Sequence, residues 1–310
     1  MSNASLPPKQ TTISLLAWIL MGVLALIWGG SFLSNRAALT ELGFLTTVAF
    51  RVGGAAAALW AYVWLRGLSV PKGGQWLLTC VVLGILSNVV PFSLIVWGQT
   101  HIASGLAGIL NAATAIFSVL LAAVVYPDER LTRRKSIGVA LGLAGVVVTI
   151  GPQALAHLDF TSVGQLAILG AALSYTVSGI YGRNALRGIR PEVASAGMLT
   201  VSSAILIPAA LYFEGTPTFH YLPQTWAALA YLALLSSALA YILVFRVLQM
   251  VGAGDLGLVT LLIAPVAVVL GAVVYGEALP PAAYLGLVLL AAGMLVIDGR
   301  LLMIFRVKTA

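Results

Sequence analysis

The chain has 310 residues, of which 61% are hydrophobic and only 8% charged, with a formal net charge of +7. A soluble domain carries about 25% charged residues, so a water-soluble enzyme, a disordered chain and a nucleic-acid-binding domain are all excluded. At ~20 apolar residues per bilayer crossing, the length suits an all-α, polytopic membrane protein of ten spans with short connections and no separate soluble domain.

The first apolar run, 13–34, follows Lys9 without a small-residue cleavage site, so it reads as a spanning helix and not as a signal peptide. Its final turns offer Trp28, Ser31 and Asn35. The second span, 43–65, carries Arg51 about nine residues from its start, a depth of ~14 Å. RGLSVPKGG at 66–74 leads into span 75–98, with Asn88, Pro91 and Trp97, and with Gln99 just beyond it. The only cysteine, Cys80, lies there too; it rules out an internal disulfide and reads as a buried structural thiol. Span 103–126 offers Asn111 and Thr114, and YPDERLTRRK at 126–135 reads as a topology anchor beside anionic lipid. Gly138 and Gly142 form a GxxxG in span 135–151.

GPQALAHLD at 151–159 opens the second half. Span 162–182 carries Ser174, Tyr175 and Ser178, and RGIRPE at 187–192 leads to span 192–213. After FEGTPTFHYLPQ at 213–224, span 225–245 offers Ser236, Ser237 and Tyr241. Span 254–275 contains Thr260 and Pro265, and span 282–302 a small pair, Ala282 and Gly286. These runs are apolar on every face, whereas membrane barrels alternate with a period of two.

With the N-terminus and every second loop on one side, that side holds 14 of the 16 basic residues, leaving Arg36 opposite and Arg51 within a span. The bias places both termini in the cytoplasm. The chain also repeats itself. ALIWGGSFLSNRAAL at 25–39 aligns to ALSYTVSGIYGRNAL at 172–186 at an offset of 147, pairing Trp28 with Tyr175 and Arg36 with Arg183. LLAAVVYPDERL at 120–131 aligns to VLGAVVYGEAL at 269–279, pairing Tyr126 with Tyr275 and Glu129 with Glu277. Two five-helix repeats, 1–151 and 152–310, are therefore expected. Five is odd, so the second copy enters the membrane inverted, an architecture of secondary transporters.

The W-G-x-x-F pattern at Trp28, Gly29 and Phe32, the Tyr…Glu-x-Leu closing spans 4 and 9, and the five-plus-five duplication resemble the EamA-type permeases of the drug/metabolite transporter superfamily. The resemblance covers essentially the whole chain. Within the superfamily it is nearest to bacterial amino-acid exporters, associated there with aromatic amino acids and amphiphilic toxic compounds. It implies alternating-access export across a bacterial inner membrane, through a cavity ringed by helices 1–4 and 6–9 with helices 5 and 10 peripheral. A proton-coupled multidrug or other-metabolite exporter of the same superfamily is the alternative, with an ion channel or an intramembrane protease more distant.

Arg51 is the most informative residue. A charge at that depth costs about 2.5–3.5 kcal/mol on insertion scales and faces the bundle or a wet cavity. It reads either as an anchor for a substrate carboxylate or as a structural donor to backbone carbonyls. The expected substrate-binding set is Trp28, Ser31, Arg51, Asn88, Gln99, Asn111, Tyr175, Ser178, Ser237 and Tyr241, with aromatic faces and hydrogen-bonding groups suited to a small amphiphile. Pro91 and Pro265 each free a carbonyl four residues earlier and are expected to kink or hinge their helices. They are not repeat-equivalent, since Pro91 pairs with Ala240. None of the nine acidic residues is central to a span, so no intramembrane proton-carrying carboxylate is expected.

The string Gly252-Ala253-Gly254-Asp255 matches a protease GxGD, but no second intramembrane aspartate exists to share a proton. It reads as a helix start with Asp255 as a cap. No HExxH, GxSxG or Walker loop occurs, so no enzyme activity, cofactor or metal is expected. The expected partners are a small-molecule substrate and the lipid bilayer, with no nucleic acid. The chain reads as a monomer, with a homodimer through helices 5 and 10 as the alternative.

Overall fold

The computed structural model describes residues 14–126, 131–150, 160–186, 188–244, 246–247, 250 and 258–298. Among these the helices are α1 (Leu15–Ala38), α2 (Phe44–Leu65), α3 (Gly74–Gly98), α4 (Ser104–Val125), α5 (Arg133–Ile150), α6 (Phe160–Ala185), α7 (Pro191–Phe213), α8 (Pro223–Val244), α9 (Leu258–Tyr275) and α10 (Pro281–Asp298). No strand occurs among the described residues. Helices suit such a chain because each pairs its own backbone donors and acceptors, which hydrocarbon cannot do. Seven of them are long and apolar enough to cross a membrane, namely α1–α4 and α6–α8; Leu262–Tyr275 and Pro281–Ile297 are shorter apolar helices. Residues such as Trp64, Val124 and Tyr212, each more than 80% exposed, give the bundle an apolar exterior fit for lipid.

Two helices run past their expected ends. The first continues to Ala38 and the sixth to Ala185, so Arg36 and Arg183 stand in last turns and not in loops. A cation there meets the carbonyl-rich end of its own helix, and tertiary partners, described below, hold both side chains. The segment with Asp128 and Glu129, and the string Gly252–Asp255, lie outside the described residues.

The two prolines stand in different helical surroundings. In α3 a π-helical turn spans Ile85–Val89, just before Pro91, and in α8 a longer one spans Tyr231–Leu239 with no proline present. At an offset of 149 the two wide turns overlap. Carbonyls in or beside them accept side-chain donors from other helices: Gly84 from Ser202 Oγ (3.0 Å), Leu86 from Ser174 Oγ (2.8 Å) and Ser236 from Trp28 Nε1 (3.1 Å). Pro265 lies inside α9, which continues on both sides, and α7 accommodates Pro208 in the same way.

The main packing pairs recur when the halves are exchanged. Helix α5 packs on α10, α2 on α7 and α4 on α9; α1 meets α9 and α8 as α6 meets α4 and α3. The glycines of α5 and α10 face one another. A Cβ on Gly138 would stand 2.5 Å from the Gly293 carbonyl oxygen, and one on Gly145 2.8 Å from that of Gly286. The small-residue face of α5 is thus packed against α10 within the chain, backbone against backbone. Gly286→Ala would place a methyl 1.9 Å from Thr149 Oγ1 and 2.6 Å from the Gly145 carbonyl oxygen. It is expected to cost about 1–3 kcal/mol by overpacking, read as a lowered thermal midpoint of the purified protein.

Candidate functional site

A cavity of about 250 Å³ opens between α1, α2, α3, α4, α6, α8 and α9. Drug-sized ligands occupy pockets of about 300–1,000 Å³, so this one suits a solute the size of an amino acid. The lining is an aromatic cage with a few polar groups. Trp28, Phe32, Phe92, Tyr175 and Tyr241 supply rings, while Ser31, Asn35, Arg51, Ser87, Asn111, Thr114, Ser236 and Thr260 supply polar atoms. Among the described residues, helices α5, α7 and α10 contribute nothing to it.

Arg51 is its one charged group among the described residues. The side chain is 5% exposed and its Nε donates to Ser237 Oγ at 3.0 Å. The guanidinium carbon lies 3.8 Å from the centroid of the Phe92 ring. A desolvated cation–π contact of this kind is worth about 2 kcal/mol. That contact and one hydrogen bond orient the fork but leave its charge without a counter-ion, since Arg36–Glu277 is the only ion pair among the described residues.

Several lining residues are repeat partners. Trp28 and Tyr175 pair at an offset of 147; Ser87 and Ser236, Phe92 and Tyr241, Asn111 and Thr260, and Thr114 and Ile263 all pair at 149. The two π turns supply Ser87 and Ser236, so the widened helices are those that bring backbone to the cavity. Phe92 and Ser87 were not expected from composition, yet the offset pairs them with Tyr241 and Ser236. Arg51 breaks the symmetry.

Six of the ten expected residues line the cavity: Trp28, Ser31, Arg51, Asn111, Tyr175 and Tyr241. Four do not, and each meets a polar partner from another helix instead. Asn88 Oδ1 accepts from Tyr241 Oη at 2.7 Å, Ser237 accepts from Arg51, and Ser178 is hydrogen-bonded to Ser87. Gln99 is 7% exposed, donating through Nε2 to the Phe32 carbonyl (2.8 Å) and Ser104 Oγ (3.2 Å) and accepting at Oε1 from Asn35 Nδ2 (2.8 Å). A polar residue inside a span needs a partner, and here the partner is protein.

Three acidic residues, Glu41, Glu214 and Glu277, cap helices. Glu41 accepts from the Leu222 amide and Thr225 Oγ1 at the start of α8, and Glu214 from the Leu45 and Thr46 amides at the start of α2. Glu277 accepts from the Ser104 and Gly105 amides at the start of α4, both at 3.0 Å, and from Arg36 Nη1. Anions at helix N-termini satisfy free amides and meet the positive dipole end. Arg36 also stacks on Tyr275 (4.8 Å to the centroid), and its repeat partner Arg183 stacks on Tyr126 (4.1 Å).

Residues 15–151 and 162–298 each match the EamA-like transporter family. An uncharacterized transporter of Archaeoglobus fulgidus is 30% identical over 72% of this chain and 77% of its own length. A probable terminal-alkyne amino-acid exporter of Streptantibioticus cattleyicolor is 29% identical over 94% of this chain and 95% of its own. A solved crystal structure, 22% identical, superposes with a TM-score of 0.64 over 91% of this chain and 96% of that one, which is a likeness of fold.

Proposed function

The chain belongs to the EamA-like transporter family, and from that premise we propose that it exports amino acids and related small amphiphiles across a bacterial inner membrane by alternating access. The observation that carries the reading is the aromatic cavity with a single cation, Arg51, and no carboxylate in its lining among the described residues. Such a site favours a small solute with an apolar body and a carboxylate, the fork of the guanidinium matching the two oxygens. A relative named as an amino-acid exporter over nearly its whole length fits the same substrate class. Trp28, Tyr175 and Tyr241 hold the apolar part, and Arg51 the carboxylate.

Two inverted five-helix repeats account for the architecture. The family matches the two halves separately, the main packing pairs recur under their exchange, and repeat partners meet at one cavity. The equivalent residues Arg36 and Arg183 stand near opposite ends of α4, beside Ser104 and Tyr126 respectively. A helix of 22 residues is ~33 Å long, close to the ~30 Å hydrocarbon thickness. With the basic loops inside, both termini are cytoplasmic. Transport is facilitated or gradient-driven: Glu41, Glu214 and Glu277 all serve as caps, so among the described residues no acid is placed at the cavity to exchange protons.

The test is flux of radiolabelled amino acids in liposomes holding the purified protein, with and without a pH gradient. Saturable, protein-dependent flux that persists without the gradient is expected. No flux over a broad panel of amino acids overturns the function, and a strict need for the gradient overturns the uncoupled mechanism.

A further inference from the structure

If Arg51 takes the carboxylate of an amino acid, the ammonium group must be met without an anion, because no carboxylate lines the cavity among the described residues. Two cavity-lining amides present acceptors with no donor, Asn35 Oδ1 and Asn111 Oδ1, both shut off from water. Asn35 is 1% exposed. Its orientation is set by a relay that begins at a main-chain atom. The Phe32 carbonyl can only accept, so Gln99 must turn its NH₂ toward it. Gln99 Oε1 then faces Asn35 and accepts a hydrogen bond from its Nδ2. That leaves Asn35 with its oxygen as the unpartnered group. The opposite rotamer of either amide would set two donors or two acceptors against each other.

We infer that Asn35 and Asn111 form a neutral ammonium subsite, with Gln99 as the positioning residue that turns the Asn35 oxygen to the ligand. This rests on the amino-acid reading of the cavity and deepens it: the substrate is a zwitterion, bound at one end by a cation and at the other by amide oxygens. A buried acceptor without a partner is costly in the empty site and is repaid when a charged donor arrives. An amine is therefore recognised with no intramembrane carboxylate. The same arrangement disfavours cationic amphiphiles, whose ammonium would meet Arg51 with no carboxylate to offset it.

The test is equilibrium binding of L-phenylalanine and of 3-phenylpropanoate, its analogue without the amino group, to the full-length protein in nanodiscs. Wild type is expected to prefer phenylalanine by at least tenfold. Asn35→Leu should bring the ratio to within about threefold of unity while 3-phenylpropanoate binding is retained, which also shows that the variant is folded. Gln99→Leu, a change outside the cavity lining, should lower the ratio in the same direction. Asn35→Asp should raise it, since the new charge attracts the ammonium and repels the carboxylate. Equal wild-type affinity for the two probes, or equal weakening of both in the Asn35 and Gln99 variants, overturns the subsite and leaves the Arg51 reading standing. Binding of neither probe by wild type overturns the amino-acid reading itself.

Discussion

Arg51→Met is expected to weaken binding of an amino acid by roughly 30-fold or more, while the corresponding amino-acid amide loses no more than about threefold. Losing one member of a desolvated charge pair costs about 2–5 kcal/mol, and each 1.4 kcal/mol is tenfold in affinity. The amide derivative brings no negative charge, so it never forms that pair. Methionine matches the apolar stem of arginine and keeps the face of Phe92 covered, which limits the change to charge and donors. Ser237→Ala separates the positional role from the direct one: it removes the acceptor of Arg51 Nε without altering the lining. It is expected to weaken amino-acid binding only a fewfold. Competition against a radiolabelled amino acid reads all three quantities. Equal loss for acid and amide in Arg51→Met would make Arg51 a structural residue.

Arg51 was legible from sequence because a charge ~14 Å into an apolar run has few explanations, and its burial beside a cavity bears out that rarity. The helical segments were legible for a related reason, since only helices and closed barrels pair their backbone in lipid. What composition could not reveal was which partner each buried polar group meets. Asn88, Gln99, Ser178 and Ser237 have the same chemistry as Ser31 and Asn111, yet the first four are directed at other helices. The extension of α1 through Asn35 and Arg36 has the same origin: two polar residues read as a helix end are held by Gln99 and Glu277, far away in sequence. Phe92 and the π turn in α8 carry no local signal at all. Only the repeat offset, which pairs them with Tyr241 and with the turn before Pro91, would have exposed them.

The same partners give the second large effect. Glu277 joins three elements that must separate if the face carrying Arg36 is to open: the end of α1 through Arg36, the start of α4 through two amides, and the end of α9. Its backbone reverses at Gly276, with φ of 63°, and its amide donates to the Gly271 carbonyl at 3.1 Å. The carboxylate then lies so close to Gly271 that a Cβ there would stand 2.4 Å from Oε2. The side chain is 5% exposed and Arg36 42%, so solvent screens only the Arg36 half of the pair. Glu277→Gln keeps the shape but removes the charge that holds Arg36 and faces the dipole of α4. A loss of about 1–2 kcal/mol on the closed side follows, which shifts the opening equilibrium by roughly tenfold. The expected result is directional. With Ser31→Cys as a reporter in a Cys80→Ser background, a membrane-impermeant thiol reagent should react about tenfold faster from the Arg36 face, and no faster from the other. Acceleration from both faces would mean that Glu277 holds the bundle together without gating it, and no acceleration would mean that closure of this face rests on the packing of α1 against α9 and not on the latch.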